Sequence, residues 1–399
     1  MPEKTHLPNP QTLKIFISTG EVSGDLQGGL LIEALFSHAK QTGIELEIVG
    51  LGGERMANAG CHLLRDTTAI GSVGLLESIP FILPTLEVQK KAKKYLQENP
   101  PDVVVLIDYM GPNIALGEYV KGNLPGVPVV FYIAPQLWVW APFPSQTRQI
   151  VKISDLILAV FPQEASYYKE KGANVCWVGH PLIDRLGQFP TRQEARKVLG
   201  IEEGELAVAL LPASRQQEVK YLWPVILEAA RLLQERVPGV SFWVPLSLEK
   251  YRGAIEEGIR ACGLRAKVVA GRSWEVLAAA DLAISKSGTV NLEIALLKVP
   301  MVVVYRVSGL TYGVARRLFK FKIPFMSPVN LVGMKSVVPE LLQEEATPEA
   351  IVDEALRLLP GGEGYEEVLG GYEEMRELLG PVGVCERAAV EVLGLVVRG

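Results

Sequence analysis

Nowhere does this chain run for about 18 consecutive apolar residues without a charge, so any membrane contact has to be interfacial rather than spanning. Cysteine is scarce. Cys61, Cys176, Cys262 and Cys385 lie far apart and form no CxxC pair, which argues against zinc ribbons, iron–sulfur ligation and a disulfide framework and fits a reducing cytoplasm. Basic charge is not in excess either: the formal net charge is -5, so no global field draws in nucleic acid, and a nucleic-acid partner is disfavoured. The polar opening, residues 1–12, lacks the apolar core of a secretory signal, and no export is implied. The first glycine-containing turn, Thr19-Gly20-Glu21-Val22-Ser23-Gly24-Asp25, is not a GxGxxG fingerprint, which disfavours a dinucleotide site and hence a dehydrogenase.

What the chain does have is apolar residues in short runs. Of its 399 residues, 48% are hydrophobic and 21% charged, the balance of a folded protein. That length suits two α/β domains, each able to bury a substantial interior. Apolar strands are expected at 14–18, 45–49, 103–107 and 129–133, then at 206–211, 241–245, 266–269, 282–285 and 300–305, alternating with helical stretches such as 26–38 and 274–280. Such alternation indicates parallel sheets covered by helices on both faces. The fold expected is α/β, with two Rossmann-like doubly wound parallel-sheet domains facing across a cleft. The first spans 1–183, with the carboxyl-terminal helices 364–399 expected to return and complete it; the second spans 184–363. In open sheets of this kind ligands gather at the carboxyl ends of strands.

Five stretches could carry chemistry, the first four of them at such ends, and each has a plainer reading. In the first turn, Gly20 and Gly24 would let a substrate approach the backbone, while Glu21 and Asp25 could bind hydroxyls or accept a proton; alternatively, Ser23 or Asp25 caps the helix that follows. Lys286-Ser287-Gly288-Thr289-Val290-Asn291-Leu292-Glu293 follows a strand and opens a helix, so the Gly288 and Thr289 amides could face a pyrophosphate and Glu293 a ribose diol. The alternative is an ordinary Ser/Thr cap with a helix-stabilising glutamate. Arg215, in Pro212-Ala213-Ser214-Arg215, offers a fork of donors suited to phosphate, or a surface ion pair with Glu218. Residues 134–142 set Trp138 and Trp140 beside Pro135 and Pro142, either to stack on a sugar or lipid or to fill the interior. Finally, the apolar run 70–83 precedes Lys90, Lys91, Lys93 and Lys94, a seat for an acylated phosphorylated substrate at an anionic membrane or simply a buried segment before a solvated helix.

Taken in order, these stretches resemble the lipid-A-disaccharide synthase family, glycosyltransferases of the GT-B architecture (family 19). The likeness is collinear: GEVSGD at 20–25, GLGGERM at 50–56, residues 73–77, APQLWVWAP at 134–142, VGHPLID at 178–184, LLPASR at 210–215, SGTVNLE at 287–293, PMVVVYR at 300–306 and the Asn330 region. The resemblance implies transfer of an acylated glucosamine from its UDP carrier to the 6-hydroxyl of an acylated glucosamine 1-phosphate, with inversion to a β-linked disaccharide and no metal or other cofactor. It implies that Arg215, Ser287 and Thr289, with Gly288, lie near the pyrophosphate, Glu293 on the ribose and Asn330 near the base. Glu21, the aromatic loop and the apolar patch would then face the lipid acceptor, with Gly20, Ser23, Asp25, Asn113 and Trp138 among the substrate-binding residues and peripheral contact at the cytoplasmic face of the inner membrane. A homodimer through exchange of the carboxyl-terminal segment is compatible with it. One departure stands at the reaction centre. Where the family reads close to IDxPDFN, this chain has Ile107-Asp108-Tyr109-Met110-Gly111-Pro112-Asn113, so Gly111 replaces the proposed catalytic aspartate and the base falls to Asp108 or Glu21. Two other readings stay open: a related transferase with another glycolipid acceptor, and a nucleotide-sugar or glycolipid binder without turnover.

Overall fold

A computed structural model describes residues 12–68, 82–141, 143–211, 216–306 and 324–397. The chain divides into two compact units, 1–184 with 379–399 and 185–378. In the first, β1 (Thr12–Ser18), β2 (Glu45–Gly52), β3 (His62–Asp66), β4 (Val103–Ile107), β5 (Val129–Tyr132), β6 (Leu156–Ala159) and β7 (Val175–Trp177) form one parallel sheet in the order β3-β2-β1-β4-β5-β6-β7. In the second, β8 (Ala207–Leu211), β9 (Ser241–Leu246), β10 (Ala266–Ala270), β11 (Leu282–Lys286), β12 (Met301–Tyr305) and β13 (Glu340–Leu342) follow the order β10-β9-β8-β11-β12-β13, again parallel.

Central strands read as unbroken apolar runs because both faces are covered: every residue of β4, Val-Val-Val-Leu-Ile, is buried. Strand order reverses between β1 and β4 in one sheet and between β8 and β11 in the other. Loops leaving those neighbours diverge to opposite faces and open a crevice at the carboxyl edge, which is where a ligand fits.

The tail divides at Gly380-Pro381. The sequence reading puts all of 364–399 with the first domain, but the Tyr365–Leu378 helix belongs to the second unit, where the Tyr372 hydroxyl donates to the Val299 carbonyl at 3.1 Å. Only the Val384–Val397 helix returns to the first unit. It packs on the Val22–Thr42 helix, with Ala388, Val392, Leu31 and Leu35 buried, each branched side chain contributing about 1.5–3 kcal/mol by leaving water. Asp184 fastens it: its carboxylate accepts from the Gly383, Val384 and Cys385 amides at 2.6, 3.1 and 2.8 Å, capping the helix from 199 residues or more away in sequence. Among the described residues, no helix is long and apolar enough to cross a membrane.

Candidate functional site

At the switch point of the first sheet lies a cavity of about 430 Å³. Glu21 reaches it from the end of β1, Asp108 from the end of β4, and Ile133, Pro135, Leu137 and Trp140 from beyond β5. Glu21 precedes the first helical residue in an extended conformation (φ -130°, ψ 156°) and its side chain makes no capping bond. Asp108, Tyr109 and Ile133 all have positive φ, 47°, 51° and 57°. None is glycine and Ile133 is β-branched, so each costs about 1–3 kcal/mol and persists only where its surroundings hold it.

Several of those restraints are visible. The Asp108 amide donates to the Ile133 carbonyl at 3.2 Å, joining two of the strained residues. Gly20 lies under the Tyr109 ring so closely that a Cβ there would sit 2.2 Å from it, which is why the turn needs glycine. Burial pushes the Asp108 carboxyl up to about 7, with the Glu21 charge adding to the rise and the Tyr109 amide partly opposing it. A carboxyl poised there can take a proton near neutral pH.

Two residues expected at the substrate are spent inside the protein. Asp25 is buried and accepts from the amides of Gly53, Arg55 and Met56 at 2.7, 3.1 and 3.1 Å, so it caps the Glu54–Asn58 helix rather than its own. Asn113, also buried, accepts from the Ser18 hydroxyl at 2.7 Å and donates to the carbonyls of Ser18, Ile107 and Asp108, pinning the end of β1 to the end of β4. Ser23 sits half-buried in the first helical turn. Trp138 packs on Phe161 at 5.8 Å between centroids, and its buried indole N–H finds no acceptor among the described residues. The Gly111 position is exposed, and a Cβ there would meet nothing within 4 Å.

Sequence reasoning missed the helix Pro162–Glu170 as a support. Its Glu164 is buried and accepts from Ala134, Val160 and Phe161 amides at 3.0, 2.8 and 3.3 Å, while Tyr168, one turn on, donates to the Pro135 carbonyl at 2.9 Å. The two side chains thus grip the cavity wall beyond β5. Burial raises the Glu164 carboxyl to about 8 against the pull of its three amide donors. A local signal existed, since Pro162 at the helix start followed by Glu164 suggests a cap, but the bond to Ala134 leaves no trace in sequence. His180, also in a motif, is structural: it stacks on Phe161, accepts from the Leu182 amide at 3.2 Å, and burial lowers it to about 4, so it is neutral.

In the second unit the end of β11 is a closed polar knot. Ser287 donates to the Met326 carbonyl at 2.6 Å, and the Gly288 amide donates to Asn291 at 2.9 Å rather than pointing outward. Thr289 is exposed at the head of the Val290–Leu296 helix, and Glu293 lies 3.9 Å from Arg185. Asn330 is buried and fully engaged, accepting from Val337 and Val338 amides at 2.7 and 2.9 Å and donating to the Val338 carbonyl and to Glu340 at 2.9 and 2.7 Å. Glu340 also accepts from Met326 and Ser327, so it organises the loop that Ser287 touches. Arg215 and most of the 70–83 run lie outside the described residues.

Comparison with known proteins bears on the family and the fold. A profile of the family described as lipid-A-disaccharide synthetase matches residues 15–389. The lipid-A-disaccharide synthase of Gloeothece citriformis is 56% identical over 384 residues, covering 96% of this chain and 100% of its own. That of Geobacter metallireducens is 37% identical over 383 residues, with 96% and 97% covered. Among solved structures, the S. aureus MnaA–UDP complex matches with a TM-score of 0.65 at 15% identity over 96% of this chain and 97% of that one. The UDP-GlcNAc 2-epimerase of Neisseria meningitidis bound to UDP-GlcNAc gives 0.57 at 14% over 98% and 100%. At such identity the structures speak for the fold, two Rossmann-like units of the GT-B architecture. Sequence likeness sustained from the first strand to the last helix speaks for more than fold, and by it this chain belongs to the lipid-A-disaccharide synthase family.

Proposed function

We propose that the protein transfers 2,3-diacylglucosamine from UDP to the 6-hydroxyl of 2,3-diacylglucosamine 1-phosphate, forming the β(1→6) disaccharide and UDP. The observation that carries this is the whole-length identity to lipid-A-disaccharide synthases, 56% over 96% of the chain. Asp108 takes the acceptor proton as the hydroxyl attacks the anomeric carbon on the face opposite UDP, and Glu21 keeps that carboxyl basic enough to do so. The cavity has the size of a small-ligand site and holds the sugar head, while the acyl chains lie outside it. On the donor side Arg215, Thr289 and Glu293 meet UDP; Asn330 shapes the Met326–Ser327 loop instead of reading the base.

The protein works at a membrane surface without spanning it. Ile82, Leu83 and Leu86 are exposed at the start of the Ile82–Glu98 helix, and Lys90, Lys91 and Lys94 are exposed behind them, a pairing that suits an anionic lipid surface. We place it at the cytoplasmic face of the inner membrane, and a homodimer formed by exchange of residues 364–399 is tested by sedimentation mass against concentration.

The deciding experiment is UDP release from UDP-2,3-diacylglucosamine with and without 2,3-diacylglucosamine 1-phosphate, with Gly111→Asp in parallel. Acceptor-dependent release by the natural sequence is expected. Retained UDP affinity without release in the natural protein, and release only in Gly111→Asp, would instead make this chain a binder that has lost the chemistry.

A further inference from the structure

The helix Pro144–Ile153 carries a polar side chain where its own core-facing stripe would continue. Gln146 stands in its first turn, and Ile150 and Ile153, four and seven residues on, are 0% and 2% exposed. Residues so spaced share a helix face, so an apolar residue is the ordinary occupant of position 146. Helices that join parallel strands run back against them, which sets this first turn at the carboxyl edge of the sheet, between β5 and β6. There Gln146 is half-buried and lines the same cavity as Glu21 and Asp108.

The plainer task for a glutamine at the third helical position is to close a capping box. Phe143 ahead of the helix has no side-chain acceptor to complete one, and only the Gln146 main-chain amide reaches back, donating to the Phe143 carbonyl at 3.0 Å. Among the described residues nothing bonds the Gln146 carboxamide. Its neighbours are committed: the Thr147 and Tyr167 hydroxyls lie 2.8 Å apart, and Gln149 donates to Glu118 at 3.0 Å. Tyr167 adjoins Tyr168, which holds the Pro135 carbonyl, so the Pro162–Glu170 helix steadies both the cavity wall and the helix that presents Gln146.

A carboxamide both donates and accepts, and so does a hydroxyl. In the acceptor sugar, positions 2 and 3 carry acyl groups, position 1 carries phosphate and the 6-hydroxyl reacts. The hydroxyl at C4 is left free, on the carbon next to the one that bears the C6 arm. We propose that Gln146 is a specificity residue for the acceptor, its carboxamide binding the 4-hydroxyl while Asp108 takes the proton of the 6-hydroxyl in the same cavity. The assignment rests on the acceptor reading above and deepens it, naming the group by which the sugar is chosen.

Rates of UDP release with the acceptor and with its 4-deoxy analogue, in the natural protein and in Gln146→Met, test it. Methionine keeps the length of the side chain and removes the amide. The natural protein is expected to lose about threefold to tenfold in kcat/KM on the deoxy analogue, the worth of one neutral hydrogen bond. Gln146→Met should show that loss on the full acceptor, separate the two acceptors by less than about twofold, and leave donor KM and UDP affinity unchanged. Its urea midpoint establishes that it is folded. Equal kcat/KM for the two acceptors in the natural protein overturns the assignment whatever the variant does. So does a folded Gln146→Met with unchanged acceptor kcat/KM or undiminished discrimination, and in each case the transfer reading stands. Without acceptor-dependent release by the natural protein the transfer reading falls, and the assignment falls with it.

Discussion

Where β4 and β5 leave the first sheet, the backbone turns through three non-glycine residues of positive φ; where β11 leaves the second, Thr289 has an ordinary φ of -55° and side chains supply the order. The first arrangement stores strain and needs buried clamps, Asn113 below and Glu164 with Tyr168 beside. The second spends its polar groups on one another, through Ser287, Asn291, Asn330 and Glu340. A strained wall presents a fixed carboxylate at no cost when substrate arrives, as suits a site for proton transfer. A knotted loop has to exchange internal partners before its polar groups can meet any ligand.

If the strained side holds the base, Asp108→Asn should cut acceptor-dependent UDP release by about 10²-fold or more and leave UDP affinity unchanged. In the natural protein the rate should climb with pH through about 7, where Asp108 ionises. Stability should move the other way. A carboxyl raised above its unfolded value holds its proton more tightly in the native state, so its contribution is fullest below the ordinary carboxylate range and is lost as pH rises to about 7. Asp108→Asn should flatten the rate profile and take the Asp108 share out of the stability profile, leaving the loss that Glu164, raised to about 8, adds as pH rises; an unchanged rate profile would remove Asp108 from the reaction.

The clamps offer a smaller and sharper contrast. Glu164→Gln sets an amide NH2 against buried N–H donors and should cost about 3 kcal/mol in urea denaturation, lowering kcat with little effect on donor KM. Asn330→Ala should cost about 2 kcal/mol and act on donor KM instead. The same kinetic signature from both would erase the distinction between the two edges. Smallest of all is Gly111→Asp. With open space for its Cβ and a carboxylate in the first turn of a helix, it should shift stability by under about 1 kcal/mol, in the stabilising direction.

Much of the framework was legible because strand formation here is a local matter. The apolar runs at 103–107 and 241–245 correspond to β4 (Val103–Ile107) and β9 (Ser241–Leu246), and the glycine–proline break at 380–381 falls between the last two helices. The run at 129–133 ends one residue early, because Ile133, apolar and β-branched like its neighbours, is forced into the left-handed region by tertiary bonds. Short edge strands such as β7 and β13, with 3 residues each, have too little periodicity to read. The site was legible in its place and less so in its parts. Asp25, Asn113 and Asn330 have the chemistry of ligand contacts, but they bind partners 28 to 31, up to 95 and up to 10 residues away, and whether a polar side chain faces a substrate or another part of the chain is decided only by the fold.

The cap that Asp184 places on the Val384–Val397 helix also fixes an order of events during synthesis. Its acceptor oxygens are made early and the amides they await are made some two hundred residues later, after every residue of the second unit. At roughly 5–20 residues per second that interval is on the order of 10–40 s. Throughout it the apolar face of the Val22–Thr42 helix, Leu31 and Leu35 included, has no cover from the tail, and residues 185–378 are complete before any of 379–399 is made. The nascent chain thus finishes its second unit before its first, and a chaperone that shields exposed apolar surface has its natural target at the amino-terminal end.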